Sequence, residues 1–419
     1  MTTGYDSTGP HPQPSPSSPL LTLAMIVKDG GQFLAPLLEA ATEWVDEIVI
    51  GDTGSRDGSR EVAGRAGAAV LDVPWRNDFA AARNEVLEHC TGRWILVLDA
   101  DEQLAPRDWR GIRAWVENRH RVAGPAAASL VTRNYLPGRH RRRGWRPLPE
   151  PDPHALPGQP RPAPGFTPSA KVRIFPRHPA IRFRGCIHET VEDGVRRSGL
   201  AVVDLEHPVH HFGYLQDDPA KAEFYRGIAR TKTEQEPQNP QAWSELADCA
   251  IACGDLGEAV AAIDRALIIE PVDPDRRLTA GWLLLQQGKL DQADAQLASV
   301  AGGGGADDLQ LAEACHLRAQ VALRQDRGET AGRLLAVALH LFPDNGHYQN
   351  TLGVWHLAHG RGDKARMALE RAAGLLPGCA DPWLNLGKMY EAAGMPQAAE
   401  EHFLRARRED PRIPVPGCA

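Results

Sequence analysis

Three short polar clusters each follow a run of apolar residues in the first hundred positions. Lys28–Asp29 follows Leu21–Val27, Gly51-Asp52-Thr53-Gly54-Ser55 follows Glu47–Ile50, and Asp99-Ala100-Asp101-Glu102 follows Trp94–Leu98. An Asp-x-Asp pair presents carboxylates at a spacing that suits a hard divalent cation together with a hydroxyl, the device that holds a nucleotide diphosphate. A solvated turn is the ordinary use of such a pair, so its placement decides. In an open α/β sheet, ligands bind beyond the carboxyl ends of the strands, and all three clusters lie at such ends. They are expected to converge on one crevice. Farther along, Gly185-Cys186-Ile187-His188-Glu189 and His210-His211, ahead of Phe212-Gly213-Tyr214, supply groups that could move a proton or ligate a metal. His188-Glu189 could equally be an orienting pair or a surface turn, and either histidine a core one.

The elements that would position these groups alternate. Strands are expected at Leu21–Val27, Glu47–Ile50, Ala69–Val73, Trp94–Leu98 and Ala127–Asn134, with helices at Gln32–Thr42, Arg56–Ala66, Phe79–Cys90 and Trp109–Asn118. That alternation implies an α/β domain with a mainly parallel sheet. Ser55 and Asp57 are candidates to cap the second helix, while Asp78 and Asn84 are placed to cap or orient the third, which carries Arg83. Leu136–Ser169 is rich in Pro and Arg, including Arg139–Arg143, and shows neither period, so it reads as a long functional loop. Arg139–Arg143 could guide a diphosphate or an acidic acceptor, although a solvated loop is the simpler use. Extended segments Lys171–Phe175 and Ile181–Arg184 and a His-rich stretch, Val202–Tyr214, follow.

The second half repeats. Pro343, Pro377 and Pro411 stand 34 residues apart, with Pro271 an earlier member of the series. Trp383, Leu386, Gly387, Tyr390, Gly394, Ala399, Phe403, Ala406 and Pro411 match the tetratricopeptide pattern most fully, and four earlier segments match it in part. One register slip falls at Gly302–Gly305, where a helix is expected to stop. Five helix pairs imply an α-solenoid with a concave face. Gln241, Ser244, Trp282, His316, Gln320, Asn350 and Lys388 are expected to face that groove, a mixture that suits an extended peptide better than a lipid. A dimerisation arm or a plain structural extension is the competing use. Cys249 and Cys253 fall in a packed first helix and read as core residues.

Composition narrows the class. The chain of 419 residues is 42% hydrophobic and 24% charged, as soluble globular proteins are, and lacks an apolar run long enough to span a membrane. From Pro237 onward there are 17 Lys+Arg against 24 Asp+Glu, and before it 30 against 30, so neither part offers the basic face that non-specific nucleic-acid binding needs. Seven scattered cysteines favour a reducing cytoplasm over a disulfide framework. Residues 1–20 read as a Pro/Ser-rich disordered tail and not as a signal peptide. Neither Gly-x-Gly-x-x-Gly nor Gly-x-x-x-x-Gly-Lys-Ser/Thr occurs where NAD or ATP would need it.

Four blocks together resemble the family 2 glycosyltransferases: Leu23–Asp29, Val45–Ser59, Asp78–Asn84 and Leu98–Glu102. The resemblance implies a Rossmann-like GT-A domain over 21–214, with the loop at 136–169, then a helical connector at 215–238 and five tetratricopeptide repeats over 239–419. The subgroup it looks most like includes peptide S-glycosyltransferases, and lipopolysaccharide-core glucosyltransferases share the blocks. By motif position, Asp52 would contact uridine, Arg83 the nucleotide, Asp99 the ribose or sugar, and Asp101 a Mg²⁺ or Mn²⁺ on the diphosphate. Asp29 stands where the subgroup commonly has Asn-Glu after the lysine and is carried over as a substitute contact. His210 or His211 resembles the histidine that completes the metal site, with His211 the one taken. Glu189 is the first candidate for the base of an inverting transfer, ahead of Asp101 and Glu102. The implied donor is a UDP-sugar, with glucose the expected sugar, and the expected acceptor is a polypeptide bound by the solenoid. A lipid-linked or polysaccharide acceptor, or a non-catalytic scaffold, is the alternative.

Overall fold

The computed structural model describes residues 18–135, 145–159, 162–215, 219–302, 305–410 and 413. Most of the expected tail, Arg139–Arg143, Pro411 and Cys418 lie outside them. No helix among the described residues is long and apolar enough to cross a membrane.

The first unit begins β1 (Leu21–Val27), α1 (Gly31–Ala41), β2 (Glu47–Asp52), α2 (Ser59–Arg65), β3 (Ala69–Asp72), α3 (Phe79–His89) and β4 (Trp94–Val97). It continues with β5 (Glu102–Gln103), α4 (Pro106–Asn118), β6 (Ala127–Tyr135), β7 (Arg146–Pro147), β8 (Gly165–Pro176), α5 (Glu192–Arg197) and β9 (Val202–His211). The sheet order is β3-β2-β1-β4-β8-β6-β9-β5, with β7 beside β8. β1 is parallel to β2 and β4, so the loops after these strands emerge on one edge. β8 then runs antiparallel to β4, while β5 turns back against the end of β9, pairing Glu102 with His211. Strand alternation divides the core. Leu21, Leu23 and Met25 pack with Leu34, Leu38 and Trp109 on one face, and Ala24 packs with Val49, Val86 and Phe175 on the other. With both faces covered, β1 is buried almost throughout, as parallel strands are.

Some expectations fail locally. The stretch expected to lack strands holds β7, and β8 starts at Gly165 within it; their hairpin pairs Arg146 with Phe166. Residues 145–149 and 163–167 group with the helical unit by their contacts. Ile181–Arg184 forms no strand and makes one bridge, Arg184 to Thr190. α2 starts at Ser59 after Gly58; of the two capping candidates Asp57 does hold the helix start, its Oδ1 accepting from Ser59 N at 2.9 Å while its Oδ2 accepts from Gly31 N, and Ser55 is turned to the loop after β1, its Oγ accepting from Asp29 N. Asp78 does cap α3, accepting from Ala81 N.

The second unit is helical. After α6 (Pro219–Gln235) come five pairs: α7 (Pro240–Ala252) with α8 (Leu256–Ile269), α9 (Pro274–Gln286) with α10 (Leu290–Gly302), and α11 (Asp308–Arg324) with α12 (Gly328–Leu341). α13 (Gly346–Ala358) with α14 (Gly362–Leu375) and α15 (Ala380–Ala392) with α16 (Pro396–Glu409) complete them. α10 runs through Gly302, the first residue of the expected slip, and residues 303 and 304 lie outside the described ones. Side-chain oxygens of Asn239, Asp273, Asp307 and Asn345 cap four first helices, satisfying N–H groups that a helix start leaves open. Close pairing needs small residues: a Cβ on Gly353 would sit 2.5 Å from Leu369 Cγ. His316, expected on the groove, is buried instead. Its ring lies against Tyr348 and its Nε2 is 2.9 Å from Thr351 Oγ1 on the next repeat. Burial pushes its imidazole down to about 4.

Candidate active site

At the end of β2, Asp52 is buried, and its Oδ1 accepts from Gly54 N and Ser55 N at 2.8 and 2.9 Å. Its Oδ2 is buried without a hydrogen-bond partner among the described residues. A buried acceptor left open is costly unless a ligand donor fills it. Asp29, after β1, takes a left-handed φ of 51° and closes this loop, its Oδ1 accepting from Arg56 N at 2.7 Å. Asp29 therefore ties the loop after β1 to the loop that follows Asp52.

Arg83, on α3, is 7% exposed and pairs with Asp99 through Nη2 and with Glu189 through Nε at 2.5 Å. Burial would raise the Asp99 carboxyl, but the Arg83, Arg173 and Lys171 charges outweigh it and hold the group well below the carboxylate range. The same acids raise Arg83 against the opposing effect of burial. Arg83 thus ties the first aspartate of Asp-x-Asp to the loop bearing Glu189. That loop is also fastened to α3 by Asn84, whose Nδ2 donates to Phe183 O and whose Oδ1 accepts from Phe183 N. His188, beside Glu189, is exposed and left-handed with φ 51°. Such backbone strain is common at functional loops.

Glu102 is held inside the protein. It is 1% exposed, and both oxygens are engaged, Oε2 by Asp99 N and Oε1 by Arg173 Nη2 at 2.5 Å. Strand alternation likewise separates the histidines of β9. His210 turns inward to Tyr135 Oη at 2.6 Å, and burial with Arg133 nearby pushes it down to about 4. His211 turns to the crevice, its Nε2 3.5 Å from Asp101 Oδ2. Burial would lower His211, yet the Asp101 carboxylate holds it above its ordinary value.

The Asp101–His211 pair fits a divalent cation. One carboxylate and one imidazole, both partly exposed, face each other, and a Cβ on Gly213 would collide with Asp101 Oδ2 and lie 2.8 Å from His211 Nε2. Only glycine leaves that cradle open. Among the described residues no three His, Cys, Asp or Glu side chains close around an ion, so diphosphate oxygens and water would complete the shell, as is usual for Mg²⁺.

The sequence reading missed Arg173 and Lys171 as builders of the site, whereas Asn84, expected to cap or orient α3, fastens that helix to Phe183. Arg83, Asp99, Lys171, Phe183 and Glu189 line one small cleft. It also missed a buried network behind the site. Asp108 Oδ1 meets His154 Nδ1 at 2.8 Å and His207 Nδ1 at 3.0 Å, and Arg133 pairs with Asp152 at 2.5 Å. Its partners lie 19 to 99 residues apart, beyond the reach of any local pattern.

Residues 22–178 match the family model of glycosyl transferase family 2, and residues 215–277 and 350–412 match tetratricopeptide repeat models. Among curated proteins, the chain is 31% identical to a TPR repeat-containing protein of Synechococcus elongatus over 57% of this chain and 54% of that one. It is 28% identical to the SPbeta prophage-derived glycosyltransferase SunS of Bacillus subtilis over 20% of each chain. An uncharacterized glycosyltransferase of Rickettsia felis shares 30% identity over 19% of this chain and 28% of that one. The chain thus spans about half the length of the first of these relatives and less of the others. Together with the strand-end carboxylates, these matches establish a family 2 glycosyltransferase domain at the N-terminal end of the chain, followed by tetratricopeptide repeats.

Proposed function

We propose that this protein is an inverting glycosyltransferase that moves a sugar from a UDP-sugar to a peptide or protein side chain, with Mg²⁺ or Mn²⁺ at the donor diphosphate. The family 2 domain supports glycosyl transfer, and the observation that carries the finer reading is the facing Asp101–His211 pair under Gly213. Bound there, a divalent cation would neutralise the charge that develops on the departing diphosphate. The open Oδ2 of Asp52 suits the imino N–H of uracil, a donor that cytosine and adenine lack at that ring edge. Asp99 is placed to take a ribose or sugar hydroxyl, and Arg83 serves the nucleotide by holding it there. Glu189 is the proposed base: Arg83 holds Oε1, and Oε2 makes no hydrogen bond within the described residues, which leaves it for the proton of the acceptor. The tetratricopeptide repeats support a polypeptide as the acceptor.

Calorimetric titration of the full chain with UDP, GDP, CDP and ADP, with and without Mn²⁺, tests this reading. UDP with Mn²⁺ should bind tightest, and Asp101→Ala should remove the Mn²⁺-dependent part. Equal, metal-independent binding of all four overturns it. A labelled sugar passed from UDP-glucose into a cell lysate should appear in protein. Label confined to lipid or polysaccharide, unchanged when the repeats are deleted, overturns the acceptor.

A further inference from the structure

β6 and β9 run parallel with Asn134 opposite His211. Across that pairing both ends of the Asn134 amide are used. Its Nδ2 donates to Ser169 Oγ on β8 at 3.1 Å, and its Oδ1 lies 2.7 Å from His211 Nδ1. An amide oxygen can only accept, so His211 Nδ1 must carry the hydrogen. The other ring nitrogen, Nε2, is the one that faces Asp101 at 3.5 Å.

We infer that Asn134 is a positioning residue of this site: its amide oxygen fixes His211 as the Nδ1–H tautomer and turns the Nε2 lone pair toward Asp101 and the cation. The inference rests on the metal reading proposed above. A ligating histidine whose second nitrogen is held by an acceptor keeps its ring orientation and gains basicity, and loss of such a partner commonly weakens metal binding by about 10–100-fold. Ser169 makes the arrangement a relay across three strands, from β8 through β6 to β9, which also keeps the amide from rotating. In this role Asn134 acts through His211, whose ring it holds.

Two readouts on the full chain test it. Mn²⁺ binding in the presence of UDP, followed by electron paramagnetic resonance, should weaken by about 10–100-fold in Asn134→Leu, which keeps the volume and removes the acceptor. Asn134→Asp, which restores an acceptor, should recover it, and UDP affinity in a chelator should be the same in all three proteins. Nitrogen chemical shifts of ¹⁵N-histidine at alkaline pH should show His211 protonated at Nδ1 in the unaltered protein and at Nε2 in Asn134→Leu. An Nε2–H tautomer in the unaltered protein, or Mn²⁺ binding that survives Asn134→Leu, overturns the inference alone. No Mn²⁺ binding by the unaltered protein overturns the metal reading and, with it, the part given to Asn134.

Discussion

In the α/β unit Asp52, Arg83, Glu102, Asp108 and Arg173 are all less than a tenth exposed, and four of them, all but Asp108, stand at strand ends or reach toward them. Among the described residues the helical unit buries one ion pair, Lys232 of α6 with Glu245 of α7 at 2.6 Å, and its interior is otherwise mainly alanine and leucine, with Thr233, His316, Gln349 and Thr351 as uncharged polar exceptions. Packing explains the second pattern, since small residues let paired helices approach. It does not explain the first. Paired charges buried beside a crevice contribute little net stability over apolar residues of the same size, so their presence points to chemistry. Breaking one of those pairs is another matter, because the surviving partner is left uncompensated.

That contrast gives a graded set of tests. Arg83→Met should have the largest effect, because it strands Asp99 and Glu189 together. A destabilisation of about 3–5 kcal/mol is expected for a broken buried pair, toward the lower end here because Asp99 is 32% exposed. It is read as a fall in the thermal unfolding temperature, with loss of UDP release from UDP-sugars. A change below about 1 kcal/mol, the range of a surface pair, would erase the contrast between the units.

The next test is a pH scan that isolates the repeats. His316 is neutral in the fold, with its value lowered to about 4 from 6.5, so protons favour the unfolded chain. Its contribution should be full above pH 6.5 and decline as pH falls toward 4, by roughly 3 kcal/mol at about 1.4 kcal/mol per unit. His356 and His402 are lowered by burial as well, so His316→Gln should remove the greater part of the slope in the helical unfolding signal and leave a remainder. A slope identical in His316→Gln would mean that its burial is relieved in solution.

The smallest effect is expected from Gly353→Val. Overpacking against Leu369 should destabilise the helical transition by about 1–3 kcal/mol and leave UDP binding untouched. A change in UDP affinity would show that the units do not divide stability and chemistry as argued.

How much of this was legible follows from the range of the interactions. β1, β2 and β4 carry their signal in continuous apolar runs, and the 34-residue spacing of prolines announces the helix pairs without any knowledge of contacts. Asp52 and Asp99 were readable because each follows such a run, with Asp101 two residues beyond Asp99, and His211 was readable through the family resemblance. Of β8 only Lys171–Phe175 was read as extended; its entry at Gly165 was not, since that part lies in a Pro-rich stretch and pairs with β7. Arg173 and Asn134 were missed for a related reason: each matters through a partner 71 or 77 residues away. His316 was placed on the groove because a helix period gives the face of a residue but not whether the next repeat covers it.

The double hydrogen bond between Asn84 and the backbone of Phe183 has a practical meaning for recombining this domain with its relatives. It joins α3 and the Glu189 loop as two strands would be joined, so a segment swap that takes the loop without the helix severs both bonds and the Arg83–Glu189 pair at once. Chimeras meant to exchange acceptor preference should therefore place one crossover before Asp78 and another after α5. Within those limits Arg83, Asn84, Phe183 and Glu189 are inherited as a single block.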